Sequence, residues 1–143
     1  MAMNLPLTGG CHCGTLRYEI TAPPILTYTC HCTDCQRITG TAFSLAIIVP
    51  ESSFRLVSGE PRAVERIAAS GRVNVRLLCP DCGCWISGIG RPDPMSGEPV
   101  RRVRAGTLDD RSWLRPTAHF FTRSKQPWVT LPASDQIYEA QPA

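Results

Sequence analysis

The sequence has no long hydrophobic run, no clustered basic patch and no internal repeat, and each absence excludes a class of protein. Residues 1–7 contain neither a basic segment nor an apolar run long enough for a signal peptide or a membrane anchor. Basic side chains are spread thinly and are not interleaved with aromatic ones, which disfavours nucleic-acid binding. We therefore expect a cytoplasmic protein that binds neither a membrane nor nucleic acid.

The length and the turn-forming residues favour one mainly β domain. A chain of 143 residues fits a single domain, and its 13 prolines and 11 glycines are scattered, as expected for many short elements joined by turns. We predict one domain over 1–143, with a core at about 8–131 and a loosely held tail at 132–143. Residues 90–99 are rich in proline and glycine, which predicts a surface loop that could act as a lid. Segments rich in β-formers predict strands at 16–21, 25–29, 43–49, 54–57, 63–69, 73–78, 84–87, 100–108 and 118–122.

The eight cysteines are the strongest signal in the sequence. In a reducing compartment, cysteines at C-x-C and C-x-x-C spacing are more often metal ligands than disulfides. If the protein were secreted, four disulfides would be the alternative. The formal charge of +3 counts each thiol as neutral, whereas seven zinc-bound thiolates with two Zn²⁺ ions would bring it to zero.

The spacing divides the cysteines between two metal sites. Structural zinc takes four tetrahedral ligands, commonly as two pairs from distant loops. A closed structural site is predicted from the two such pairs in this chain, Cys11 with Cys13 and Cys79 with Cys82.

The remaining close triplet is Cys30, Cys32 and Cys35, which gives three thiolates and leaves a fourth position for water or substrate. Such an open site is the arrangement of catalytic zinc. Cys84 leaves a second interpretation, because it could supply the fourth ligand and turn the open site into a structural one. Otherwise Cys84 is expected to be a small buried hydrophobic residue on the strand beside Trp85.

Helix and histidine signals complete the candidate site. Thr33 or Asp34 could cap a single helical turn that ends at Gly40 and points backbone N–H groups towards Cys35. His12 and His31 stand between cysteines, where the intervening side chain usually points away from the metal. His119 is expected to be a hydrogen-bonded histidine in a strand, with general acid or base catalysis as the alternative. Trp85 and Trp128 are expected to line the core or a pocket wall.

The motifs resemble, in order along the chain, those of the glutathione-dependent formaldehyde-activating enzyme family, which also includes centromere protein V. The matching segments are Gly9-Gly10-Cys11-His12-Cys13-Gly14 with Arg17-Tyr18, Cys30-His31-Cys32 to Cys35-Gln36-Arg37, Gly40 and Phe43, Cys79-Pro80-Asp81-Cys82-Gly83, Ala105-Gly106-Thr107-Leu108-Asp109, Pro116 with His119, and Pro127-Trp128.

The resemblance implies a β-tent of twisted antiparallel sheets, similar to a zinc-bearing Rab-exchange chaperone, with two Zn²⁺ ions per chain. It assigns the structural ion and the catalytic ion to the same two groups of cysteines that the spacing gives. Cys84 departs from the family pattern, in which a small or hydroxyl residue is usual at that position.

The activity implied is that of a carbon–sulfur lyase, which forms or cleaves a thiol–aldehyde adduct such as S-hydroxymethylglutathione from glutathione and formaldehyde. Zinc would lower the pKa of the thiol and the pocket would position an otherwise easy addition. Glutathione carries two carboxylates, and Arg37, two residues after Cys35, is the nearest candidate to bind one. The alternative function is a non-catalytic zinc-stabilised binding module of the same fold. A strand-rich chain can also pair as a homodimer through its sheet edges.

Overall fold

The computed structural model describes residues 3–68, 71–93 and 96–140. Within them the chain forms twelve strands, one short α-helix and three 3-10 turns, the turns at Glu51–Ser53, Ala105–Thr107 and Thr122–Ser124. The strands and the helix are β1 Leu7–Gly10, β2 Arg17–Ile20, β3 Leu26–Cys30, α1 Thr33–Thr39, β4 Ser44–Pro50, β5 Phe54–Ser58, β6 Arg62–Ile67, β7 Val73–Leu78, β8 Trp85–Gly88, β9 Arg91–Pro92, β10 Pro99–Arg104, β11 Ala118–Phe120 and β12 Gln136–Ile137. The prediction of a mainly β domain is confirmed.

The strands form two sheets. A three-stranded sheet has the order β1-β2-β5, and a nine-stranded sheet has the order β12-β11-β3-β4-β10-β8-β7-β6, with β9 paired to β10. Most neighbours are antiparallel, but β11 pairs in parallel with both β3 and β12. Parallel neighbours need long crossover connections, and the chain supplies one between β3 and β11. The expectation of purely antiparallel sheets is therefore wrong at this edge.

The core lies on both faces of β4, the buried strand near the middle of the large sheet. Ile47 and Val49 pack towards the small sheet, in a cluster that includes Tyr18 and Ile20. The alternate residues Ala46 and Ile48 pack on the opposite face. Period-two alternation with apolar residues on both faces is typical of a strand covered on both sides.

Helix α1 begins and ends with different caps. Cys32 is the N-cap, and its sulfur accepts a hydrogen bond from the Cys35 N–H, so the predicted caps Thr33 and Asp34 are wrong. The Cys32 sulfur can serve as the cap because it accepts this hydrogen bond at 3.2 Å. Gly40 ends the helix in the left-handed conformation, with φ of 66°, as predicted.

The C-terminal segment, predicted to be a loosely held tail, contributes strand β12 in its described part. The N–H of Tyr138 donates to the carbonyl of His119, and the N–H of Gln136 donates to the carbonyl of Thr117. The tyrosine ring packs 5.3 Å from the ring of Phe120. This segment therefore lies against the strand next to β3.

The predicted loop at 90–99 contains the short strand β9 and the first residue of β10. Pro99 pairs with Pro92 and Val100 with Arg91. Residues 94 and 95 lie outside the described part of the chain, as do residues 69 and 70, the first of which ends the strand predicted at 63–69. No helix in the described ranges is long and apolar enough to cross a bilayer.

Candidate metal centres

Four cysteine sulfurs from the turn after β1 and the turn after β7 meet in what we call the four-sulfur cluster. All four lie within 4.8 Å of one another, and they belong to Cys11, Cys13, Cys79 and Cys82. Two of the separations are 3.6 Å, between Cys11 and Cys13, and 3.7 Å, between Cys13 and Cys79. Tetrahedral ligands with Zn–S bonds of about 2.3 Å place their sulfurs about 3.8 Å apart. The donor set therefore fits one zinc ion.

Two turns carry this cluster and direct backbone amides at its sulfurs. The Leu16 N–H donates to the Cys11 sulfur at 3.2 Å, and the Cys82 N–H donates to the Cys79 sulfur at 3.5 Å. Gly83 follows with φ of 76°, a conformation that glycine adopts without strain. The N–H groups of Cys13 and Cys84 lower the pKa of Cys82 to about 6. Such amides stabilise thiolates, which is the form that a metal binds.

Three further sulfurs form a separate group, which we call the three-sulfur cluster. Its members Cys30, Cys32 and Cys35 lie within 4.8 Å of one another, and no other described histidine, cysteine or carboxylate joins them. Cys30 is the last residue of β3, and Cys32 and Cys35 lie at the start of α1. The strand end and the helix start therefore present three thiols from six consecutive residues.

The three-sulfur cluster favours one thiolate over the others. The thiols of Cys30 and Cys35 donate to Cys32 and lower its pKa to about 2, with help from the Cys35 N–H. The pKa of Cys30 is raised, first by its hydrogen bond to Cys32, then by that to Cys35 and by burial. Beside them the buried hydroxyl of Ser44 faces the Cys35 sulfur and has no other partner in the described structure.

Cys84 does not complete the three-sulfur cluster. It is half-buried and packs with the residues around the four-sulfur cluster. Its pKa is raised by burial and then lowered in part by the His12 N–H, which places the thiol against the turn that carries Cys11 and Cys13. The alternative in which Cys84 closes the second site is therefore wrong for the described structure, because Cys84 lies between Cys82 and the start of β8, at the other centre. The expectation of a buried residue on the strand beside Trp85 is also wrong, because Cys84 is half-buried and precedes that strand.

A chain of hydrogen bonds joins the three-sulfur cluster to the C-terminal segment. His31, between two of its cysteines, is fully buried, and its Nε2 lies 2.9 Å from the Thr29 hydroxyl. That hydroxyl lies 2.6 Å from Nδ1 of His119, whose Nε2 lies 2.9 Å from Asp135. His119 is thus a satisfied buried histidine, the first of the two interpretations. Sequence reasoning missed Thr29 and Asp135, since neither carries a motif.

The other candidate side chains lie at different depths. Arg37 is exposed in the last turn of α1. Trp128 is 73% exposed, so its expected place in the core or a pocket wall is wrong. Trp85 lines a cleft of about 420 Å³ between α1 and strands β7, β8 and β10, as expected for a pocket wall. A second cleft, of about 550 Å³, lies beside Cys84 and the turn after β1.

The fold has a counterpart among solved structures. A crystal structure of a Rhodobacter sphaeroides protein superposes with a TM-score of 0.53 and 19% sequence identity, over 76% of this chain and 91% of that chain. At this identity the likeness concerns the fold alone.

The sequence also matches a family model. The model describes the glutathione-dependent formaldehyde-activating enzyme, and it covers residues 6–124, which include both sulfur clusters. The expectation drawn from the motifs is confirmed. The chain belongs to the glutathione-dependent formaldehyde-activating enzyme family.

Proposed function

We propose that this protein is a zinc-dependent carbon–sulfur lyase that forms or cleaves a thiol–aldehyde adduct, with S-hydroxymethylglutathione as the adduct that the family suggests. One observation carries the proposal. Three sulfurs of the described residues converge without a fourth protein ligand, beside a cleft large enough for a small molecule. A metal with three protein ligands keeps a position for chemistry.

The two clusters have different roles in this proposal. The four-sulfur cluster holds a structural zinc that ties the turn after β1 to the turn after β7. Cys30, Cys32 and Cys35 hold the catalytic zinc. When bound, this zinc lowers the pKa of an incoming thiol and so supplies a thiolate at neutral pH.

The addition needs little from the chain besides position and charge. The thiolate sulfur attacks the carbonyl carbon of formaldehyde, a C–S bond forms, and the C=O π electron pair moves to oxygen, which takes a proton from water. The reverse reaction breaks the same bond. The chain holds the thiol close to the aldehyde, and this proximity accelerates the reaction. Arg37 is the sequence-derived candidate for binding a glutathione carboxylate.

We further propose that the protein acts in the cytoplasm with glutathione as its thiol partner. Neither a membrane nor nucleic acid takes part in the reaction. The two packed sheets represent the β-tent fold of the Rab-exchange chaperone, and exposed sheet edges offer a route to a homodimer. The division into a core at 8–131 and a tail at 132–143 belongs to the same proposal.

The alternative, a non-catalytic binding module, predicts a closed second metal site. The position of Cys84 at the four-sulfur cluster argues against that arrangement. We therefore keep the enzyme as the first proposal.

A direct test follows the adduct itself. Exchange NMR of glutathione with ¹³C-formaldehyde measures how fast S-hydroxymethylglutathione forms, with and without the zinc-loaded protein. We expect catalytic acceleration by the wild type and none by Cys35→Ser. X-ray absorption spectra of the glutathione complex should show a fourth sulfur ligand at the second zinc. A rate equal to the uncatalysed one, with no added sulfur, would establish the binding module instead.

A further inference from the structure

The cleft of about 420 Å³ borders the three-sulfur cluster. Ile38 and Thr39, which line it, lie about one turn of α1 beyond Cys35. Ser44, on the same wall, pairs with Cys30 across β3 and β4. A molecule that fills this cleft therefore lies next to the cysteines proposed to hold the catalytic metal.

Two guanidinium groups share one indole ring in the wall of this cleft. The guanidinium carbon of Arg104 lies 4.1 Å from the centre of the Trp85 ring, and that of Arg76 lies 5.7 Å from it. The three side chains come from neighbouring strands, β10, β8 and β7. Stacking on an aromatic face holds each guanidinium plane and leaves its N–H donors available at the edges.

Neither guanidinium is neutralised by the part of the chain that is described. No carboxylate there forms an ion pair with Arg76 or Arg104. The Nε–H of Arg104 is in addition buried without a hydrogen-bond partner. A buried donor without an acceptor carries a desolvation cost, so most such groups in folded proteins are paired with protein, water or a ligand.

Another arginine of strand β10, Arg101, can be compared with Arg104. Arg101, on the opposite face of the strand, forms an ion pair of 2.5 Å with Glu51 and also donates to the carbonyl of Gly88. Its side chain is only 13% exposed, and each of its guanidinium nitrogens has a hydrogen-bond partner. The fold thus satisfies one arginine of the strand internally and leaves the other facing the cleft.

We propose that Arg76 and Arg104 bind the carboxylates of a thiol-bearing substrate in this cleft, an inference that rests on the proposed function. A peptide thiol with two carboxylates, such as glutathione, matches two guanidiniums in number and charge. The cleft has the volume of a small-molecule site. Its apolar residues Phe43, Leu45 and Leu78 offer contacts to the methylene groups between the charges. The thiol then lies on the side of Ser44 and Cys35.

This assignment replaces Arg37 as the principal carboxylate contact. Arg37 is exposed and does not line the cleft, whereas Ile38 and Thr39, the next residues of the helix, do. A freely solvated guanidinium loses more side-chain entropy on binding a ligand than one already held against an indole.

Binding of S-methylglutathione to the zinc-loaded full chain tests the inference, because this ligand keeps both carboxylates but cannot form a thiolate. Isothermal titration would give the affinity, and the indole N–H signal of Trp85, assigned with Trp85→Phe, would report occupancy of the cleft. We expect the signal to shift, and affinity to fall about tenfold or more in Arg76→Gln and in Arg104→Gln, as for loss of one charge-assisted pair. The matched control Arg55→Gln, in β5 of the other sheet, should bind like the wild type.

Unchanged affinity in both cleft variants would overturn the inference, as would binding without a shift of Trp85 or a loss confined to Arg37→Gln. If Arg104→Gln does not fold, Arg104→Lys keeps the charge and should bind with intermediate affinity, since lysine lacks the planar fork. The diethyl ester of S-methylglutathione should bind weakly and equally to wild type and variants.

A cobalt experiment distinguishes failure of this carboxylate assignment from failure of the proposed lyase function. If the protein is not a lyase, cobalt placed at the three-sulfur cluster shows no new sulfur-to-metal absorption when glutathione is added, while S-methylglutathione still shifts Trp85. If only the carboxylate assignment fails, the cobalt signal appears and saturates at the same glutathione concentration in wild type, Arg76→Gln and Arg104→Gln.

Discussion

Nε2 of His119 lies 2.9 Å from the Asp135 carboxylate, and Nδ1 of the same ring lies 2.6 Å from the Thr29 hydroxyl, so the ring links these two groups. The hydrogen bond from His119 keeps the pKa of Asp135 below its usual value, so the carboxylate is an acceptor and Nε2 of His119 is the donor. When the His119 ring carries a single proton, on Nε2, its Nδ1 accepts from the Thr29 hydroxyl, and the Thr29 oxygen then accepts from Nε2 of His31. In that arrangement the Asp135 carboxylate orients the hydrogen bonds of both histidines.

We predict that His119→Leu destabilises the protein by about 2 kcal/mol, because it removes one hydrogen-bond partner each from the buried Thr29 hydroxyl and the Asp135 carboxylate. Urea unfolding of the zinc-loaded protein measures the change. His12→Leu is the matched control, since that side chain is exposed and its loss should change the free energy of unfolding by less than about 0.5 kcal/mol. Equal stability of the two variants would show that the buried chain contributes nothing.

The division of the cysteines predicts unequal effects of their loss. Cys79→Ser should unfold the protein or strongly lower its melting temperature, because the four-sulfur cluster joins turns from distant parts of the chain. Cys32→Ser should retain the β-sheet circular dichroism and lose one of two zinc equivalents. Cys84→Ser should retain both, because its sulfur belongs to neither cluster. Metal analysis by plasma mass spectrometry provides the count, and a Cys84→Ser protein with a single zinc would contradict the partition.

We predict that the protein loses stability at alkaline pH because the phenol of Tyr18 is buried. Burial raises its pKa far above the usual value, and its hydroxyl donates to Thr107, whose own proton goes to the carbonyl of Arg104. The contribution of this neutral phenol is therefore complete below about pH 10, where the unfolded chain begins to ionise, and is lost as the pH rises further. The free energy of unfolding of wild type relative to Tyr18→Phe should fall by up to about 1.4 kcal/mol per pH unit above pH 10. A pH-independent difference would contradict this.

Gly9 occupies a place where no side chain fits. A Cβ there would lie 2.5 Å from the carbonyl oxygen of Thr107, which is backbone and cannot move aside easily. We expect Gly9→Ala to destabilise by about 2 kcal/mol or more, as overpacking does. Gly71→Ala is the control, because its surroundings are open and only its positive φ, 84°, costs about 1 kcal/mol. Thermal melts of both variants would contradict this account if Gly71→Ala were the less stable.

The parts of the site that sequence reasoning reached depend on local chemistry. The two cysteine groups follow from spacing, because turns of two to four residues bring thiols within reach of one ion. Gly40 follows from the left-handed conformation at a helix end. Strand β4 follows from its run of β-forming residues.

The parts that it missed depend on contacts between distant segments. Arg76, Trp85 and Arg104 converge only because β7, β8 and β10 are neighbours, and sheet order is not encoded in any one strand. Asp135 lies in a polar segment whose composition gives no sign of a buried partner. The Cys32 cap was missed because cysteine is not among the usual capping residues.

The parallel pairing of β11 with β3 determines when, during translation, the surroundings of the three-sulfur cluster can form. Thr29 and His119 are 90 positions apart, so Cys30 to Cys35 leave the ribosome long before the strand that supports them is synthesised. Contacts of such separation form late because closing the loop between them costs entropy. A metal ion at the three-sulfur cluster is therefore expected to be bound in its final surroundings only after translation has passed residue 120.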